Sequence, residues 1–439
     1  GRKNLHSQKE DFTMTKDHLN LSTDNAQDSL FSIDDCNEAY QYLQNSANFV
    51  SFHTGLTTLM QRCGYTGSSE DVEEKTAYLV LKLAAIHVKI TEITVRDWFS
   101  GKRRPSLDSR SRKLVYEICF ALGASFGLVQ EFFRQVYFSR SFNCHTIKEA
   151  VYYYCLHQNH SYDHALELYE TIKAMPETAK FEASDPVYTD QIRNALDNCR
   201  SDEKFLAYFS RNKSLFDRWN QRALFYIEEF VRQIRGTKED IGRIEAFGKV
   251  GTIPDAKTLA APSASGLTIQ EFFMHARHDS DYPWQYSGRN VTSIDFMLEF
   301  IITFTTGVTK DATLPDIVKL NFPSKKTFSK ILNRSQSEMS TSYDSIRKCL
   351  ILLKFYHFWV TLELMMDSGN AAEDSQSDYA DYFDDFCEEM AQLLEECGYE
   401  ELYERNPYDW IFLWASTTEH PLESFRGVMR AIDFDDSER

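Results

Sequence analysis

Apolar residues recur along most of this chain at three- and four-residue spacing, which predicts a succession of helices. Ser32-Ile-Asp-Asp35 opens a helix carrying Ala39, Tyr40 and Leu43. Tyr78 to Ile86 is a second apolar run, and Ile118 to Val136 a longer periodic one. Phe205 to Val231 is equally periodic, anchored by Phe205, Phe209, Phe216 and Trp219. The clearest amphipathic helix sets Tyr379, Tyr382, Phe383, Phe386, Met390, Leu393, Leu394 and Cys397 on one face and carboxylates on the other. Alternating strand patterns are nearly absent, and Gly (17) and Pro (10) are scarce, so the expected fold class is all-α.

The same pattern divides the chain. Residues 1–30 are polar and nearly free of aromatics, as in a disordered tail. "VGTIPDAKTLAAPSASG" (250–266) interrupts the periodicity and reads as a linker. These breaks imply a first helical domain at 31–170, a helical connecting region at 171–249, and a second helical domain at 267–439.

Charge changes the picture locally. The formal net charge is −18, yet Asp367 to Glu404 alone holds fourteen Asp/Glu and no Lys or Arg, leaving −4 for the rest. This acidic stretch is expected to be a solvated helix face plus a loop. Nine cysteines without a C-x-x-C pair indicate neither a disulfide framework nor a zinc ribbon. The polar N-terminus lacks the apolar core of a signal peptide. The longest apolar run, Cys349 to Met366, contains Lys354, His357 and Glu363 and is expected to be a core helix, not a membrane span. The expected location is cytoplasmic, with no membrane partner.

Against this background "TVRDWFSGKRRPSLDSRSRK" (94–113) stands out, with seven Lys/Arg against two acids, a local balance of +5. Thr94 to Phe99 is helical in character, Gly101 is a stop, Pro105 forbids continuation, and Ser106-Leu-Asp starts another helix. Trp98-Phe-Ser-Gly101-Lys102-Arg-Arg-Pro105 and Ala121-Leu122-Gly123 resemble the helix-turn-helix family of phage repressors and Cro, the Xre type, over about residues 75–125. The resemblance implies that Val95 and Trp98 are core, that Thr91, Glu92, Thr94 and Arg96 face DNA bases, and that Lys102, Arg103 and Arg104 hold backbone phosphates. The sequence departs from the family in two ways: the expected Gln before the recognition helix is missing, and "KTAYLVLKLAAIHV" is unusually apolar.

A duplication is also suggested. "AVYYYCLHQNHSYDHALELY" (150–169) aligns without gaps to "WIFLWASTTEHPLESFRGVM" (410–429) at an offset of 260. "EITVRDWFSG" (92–101) aligns to "KKTFSKILNR" (325–334) at an offset of 233. A degenerate second helix-turn-helix near 311–348 would then place Lys325, Lys326 and Lys330 on DNA, although it lacks the glycine turn.

Catalytic motifs are wanting: no phosphate-binding glycine loop, His-Glu-x-x-His pair or Gly-x-Ser-x-Gly elbow occurs. Cys155, His157, His160 and His164 are ligand types for zinc, but a hairpin turn explains them equally, so no metal and no cofactor is expected. The expectation is a non-enzymatic, bacterial or mobile-element transcription regulator that binds double-stranded DNA, with a peptide or protein effector as a second partner. The alternative is a helical protein- or peptide-binding scaffold whose helix-turn-helix units no longer read DNA.

Overall fold

The computed structural model describes residues 29–45, 47–177, 189–217, 220–235, 343–367, 382–422, 424, 425 and 428. Among them the regular structure is helical and no strand occurs, so the chain is all-α. Lys325, Lys326 and Lys330 lie outside the described residues, as does the 250–266 segment.

Side-chain caps set where the helices begin. Asp35 accepts from the backbone N–H of Asn37 and Glu38 and starts α1 (Cys36–Gln44), whose buried residues are Ala39, Tyr40 and Leu43, as expected. Ser51 caps α2 (Phe52–Arg62) and Asp71 caps α3 (Val72–Ala85). Thr91 caps α4 (Glu92–Phe99), and Asp108 caps α5 (Ser109–Leu122). The Ile118–Val136 run is divided by Gly123, which takes φ +67° after α5. Beyond it come α6 (Phe126–Phe132) and a π-turn over Phe133–Tyr137. The hairpin α7 (Ile147–His157) and α8 (Tyr162–Ala174) follows, then α9 (Thr189–Asp197) and α10 (Asp202–Asn212). The remaining helices are α11 (Asn220–Arg235), α12 (Tyr343–Asp367), α13 (Phe383–Glu396) and α14 (Pro407–Ser416).

Two apolar cores result. One runs from Phe52 to Phe216 and holds Val95, Trp98, Val115, Tyr152 and Phe205 among its members. The other gathers residues far apart in sequence: Leu30, α1, Phe49, and the buried faces of α11 to α14. Tyr42 of α1 stacks on Trp410 at 4.6 Å, and Trp414 Nε1 donates to the Ile33 carbonyl at 2.9 Å. The helix α1 and its flanking residues therefore pack with the C-terminal helices, not with the α2–α5 helices they precede. The Phe205–Val231 run is shared as well: Phe205, Phe209 and Phe216 enter the first core, whereas Ala223, Ile227 and Phe230 enter the second.

Candidate functional site

The helix α3, the turn through His87 (φ 60°) and the helix α4 form the element that the family resemblance singles out. Thr91 accepts from the Thr94 N–H at 3.3 Å, and the two hydroxyls bond at 2.7 Å, so both are spent on the helix start while Thr91 stays exposed. Val95 (0 % exposed) and Trp98 (3 %) are core, as expected; the Trp98 ring meets Phe52 edge-on at 6.0 Å. Gly101 takes φ +74°, a left-handed turn that a side chain would strain.

The cations of 94–113 meet several fates. Arg96 forks onto Glu73 of α3, Nε to Oε1 at 2.7 Å and Nη2 to Oε2 at 2.8 Å, with Glu92 at 3.4 Å; those hydrogen bonds raise its pKa. Lys102 and Arg103 are exposed, Arg103 lying 3.7 Å from Asp97. Arg104 corrects the expectation of a phosphate contact: it is 8 % exposed, donates to the Tyr137 carbonyl at 2.9 Å, and lies over the rings of Phe52, Tyr137 and Phe138. Aromatic faces attract a guanidinium once the surrounding chain encloses it. Arg112 is also interior, and Lys113 pairs with Glu117.

Arg112 is the centre of a buried network. It binds Glu149 at 2.6 Å (Nε–Oε1) and 2.8 Å (Nη2–Oε2), and donates to the Arg140 carbonyl at 2.6 Å. Glu149 also accepts from the Asn143 N–H at 2.6 Å. Arg347 does the same on α12: it binds Asp409 at 2.8 and 2.7 Å and donates to the Glu400 carbonyl at 3.2 Å, while Asp409 accepts from the Tyr403 N–H at 3.0 Å. Residues 140, 143 and 149 stand 260 before 400, 403 and 409. Thr146 caps α7 and Asn406, 260 later, caps α14. Phe138 (φ 57°) and Gly398 (φ 76°) are a further left-handed pair at that offset.

These corresponding segments face each other. Asn406 Nδ2 donates to the Phe138 carbonyl at 3.1 Å, and an Arg140 Nη donates to the Gly398 carbonyl. Arg140 and Glu400, 260 residues apart in sequence, approach to 3.8 Å. A Cβ on Gly398 would stand 2.9 Å from His145 Nε2, a second reason for glycine there. Burial pushes the Glu400 carboxyl up, but Arg140, Arg134, Arg193 and Arg347 outweigh it and hold its pKa below the ordinary value. A depressed folded pKa contributes stability that is present above the unfolded value, about 4.3, and lost as pH falls through the folded one. Urea midpoints measured from pH 7 to pH 3 are expected to fall less steeply on the acid side in Glu400→Gln than in the parent, from a lower value at pH 7. Parallel profiles would show that Glu400 gains nothing from its arginines.

Cys155 and His157 do not join the histidines of the hairpin. Cys155 is buried with its thiol pushed up to about 12, and His157 stacks on Tyr153. His160 and His164 instead meet Asp202 of α10, which no sequence motif connects to them. Glu389 and Glu396, inside the acidic stretch, pair with Lys354 and Arg222 at 2.6 and 2.9 Å. Part of that stretch is therefore structural.

The described residues thus define an all-α chain whose α3 and α4, joined by the turn at His87, are bridged by the Arg96–Glu73 ion pair, and no described helix is long and apolar enough to cross a membrane. Comparison with family models, curated proteins and solved structures gives no match.

Proposed function

We propose that this chain is a helical protein-interaction scaffold built from two fused, related units. In this reading the α3–α4 face of the first unit receives an amphipathic helix of a partner instead of DNA. The observation that carries it is the surface of residues 70–113. Seven acids and seven cations there reach solvent, because Lys75, Arg104 and Arg112 are turned inward. A duplex needs a net positive face. Glu73 and Glu74 occupy the first turn of α3, and Glu92 that of α4, where phosphate would have to approach. Leu81 of α3 and Ile93 of α4 are 70 % and 66 % exposed, the kind of anchor that an apolar helix face recognises.

The paired Arg–carboxylate networks support the duplication. Their arginines stand 235 apart and their carboxylates 260 apart, so a 25-residue insertion between Arg347 and Gly398 would reconcile the copies. The contact of equivalent residues 140 and 400 fits a pseudo-two-fold axis between them.

DNA binding is the second reading, favoured by exposed Lys102, Arg103 and Arg110 beyond α4. Selection from a random duplex pool with the full chain tests the two. The scaffold reading expects no enriched sequence, and selection from a helical peptide library to yield apolar-faced binders that Leu81→Asp with Ile93→Asp no longer captures. An enriched DNA motif, with a log–log salt slope that flattens by about two units in Lys102→Ala with Arg103→Ala, would establish DNA reading instead.

A further inference from the structure

We propose that His160, His164 and Asp202 form a binding site for a first-row divalent metal ion, Zn²⁺ foremost, joining the α7–α8 hairpin to α10. The site stands independently of the partner-binding reading above.

Local structure delivers the three donors. Asn159 takes φ 58° and the His160 N–H returns to the Cys155 carbonyl at 2.7 Å, which closes the end of α7 and points the chain back. Ser161 then caps α8, accepting from the His164 N–H at 3.2 Å, so His164 rises from the first helical turn. Ser201 caps α10, which sets Asp202 at the first position of that helix. The imidazole rings lie 4.5 Å apart between centroids, and one donor atom from each of the three residues lies within 4.8 Å of the others.

The two distances to Asp202 bracket the spacing of ligands around one ion. A metal held at about 2.0–2.2 Å by imidazole nitrogen and carboxylate oxygen sets neighbouring donors roughly 3.0–3.5 Å apart. His164 Nε2 lies 2.9 Å from Asp202 Oδ2, and His160 Nε2 lies 3.7 Å from Asp202 Oδ1. The 2.9 Å approach lacks hydrogen-bond geometry: His164 Nε2 is shielded from solvent and has no hydrogen-bond partner. A nitrogen so placed holds its lone pair beside the carboxylate without using it, which a cation between the two would correct.

The surroundings orient the donors. The Tyr154 hydroxyl donates to Asp202 Oδ1 at 2.8 Å and fixes the carboxylate, while Glu167 Oε2 lies 3.9 Å from His164 Nδ1 and leaves Nε2 facing Asp202. The three side chains are about one-third exposed, so water completes the coordination. Two imidazoles and a carboxylate suit Zn²⁺ and its neighbours, and do not suit Ca²⁺ or Mg²⁺, which take oxygen. At the 260-residue offset His160 corresponds to His420, but His164 corresponds to Ser424, so the site belongs to the first unit alone.

Full-length protein dialysed against chelator and titrated with Zn²⁺ by calorimetry, and with Co²⁺ by visible absorption, tests the site. One ion per chain is expected, with a Co²⁺ spectrum of mixed nitrogen and oxygen ligation. His164→Ala and Asp202→Asn should each weaken binding by at least about 100-fold and Tyr154→Phe by about 10-fold, while His157→Gln binds like the parent. Circular dichroism establishes that each variant is folded. Absence of binding up to millimolar metal, or binding that persists in folded His164→Ala and Asp202→Asn, would overturn the assignment.

Discussion

Arg347→Met is expected to cost about 3–5 kcal/mol of stability because it leaves the buried Asp409 carboxylate unpaired, and Arg112→Met somewhat less, because Glu149 is partly exposed. Arg112 and Arg347 are 4 % and 7 % exposed, and Asp409 is 1 % exposed. Asp409 cannot regain water and Glu149, whose side chain is 13 % exposed, can do so only in part, although each keeps a backbone donor. Removing both partners has a different consequence: Arg347→Met with Asp409→Leu should recover much of the loss, since the desolvation penalty disappears with the charges. Urea denaturation of the parent, Arg347→Met, Asp409→Leu and the double variant measures this as a double-mutant cycle, with Arg112→Met run beside them. If Arg112→Met is severe and Arg347→Met is silent, the two networks are not equivalent and the duplication loses its main support.

Trp98→Ala is the other large effect, expected at about 3–5 kcal/mol. Its indole fills the space between α4 and α2 against Phe52, which itself packs on Phe132, and α4 is only eight residues long. A helix of that length has little stability of its own and persists through its buried face. Arg96→Ala, two residues away, should leave the melting temperature nearly unchanged, because its bonds to Glu73 are exposed and water replaces them. A Trp98→Ala protein that melts like the parent would mean that α4 is held by something other than this core.

In the proposed scaffold reading, Leu81, Ile93 and the charge-balanced surface of residues 70–113 matter more than the stabilising pairs do. The basic run in the sequence suggested phosphate contact, and the structure turns Arg104 and Arg112 inward and gives Arg96 to Glu73. The charge that reaches solvent balances over residues 70–113, although the run 94–113 within it keeps five cations against two acids, and Leu81 and Ile93 stand exposed beside them.

Helix identity was legible in the residues themselves, because period and capping are local properties. Asp35, Asp108 and Gly123 act within a turn of where they stand, and Ala39, Tyr40 and Leu43 are buried for the same reason that they recur at three- and four-residue spacing. The fate of each charge was not legible in this way. Lys102 and Arg104 are two residues apart, yet one is exposed and the other enclosed, because Phe52, Tyr137 and Phe138 arrive from distant parts of the chain to surround only the second. Asp202 meets His160 and His164 for the same reason, across a separation that no spacing rule connects. Periodicity tells a side chain which face of its own helix it occupies. Only tertiary packing decides what waits on the other side, and for a charged group that neighbour determines whether it binds a partner or holds the fold.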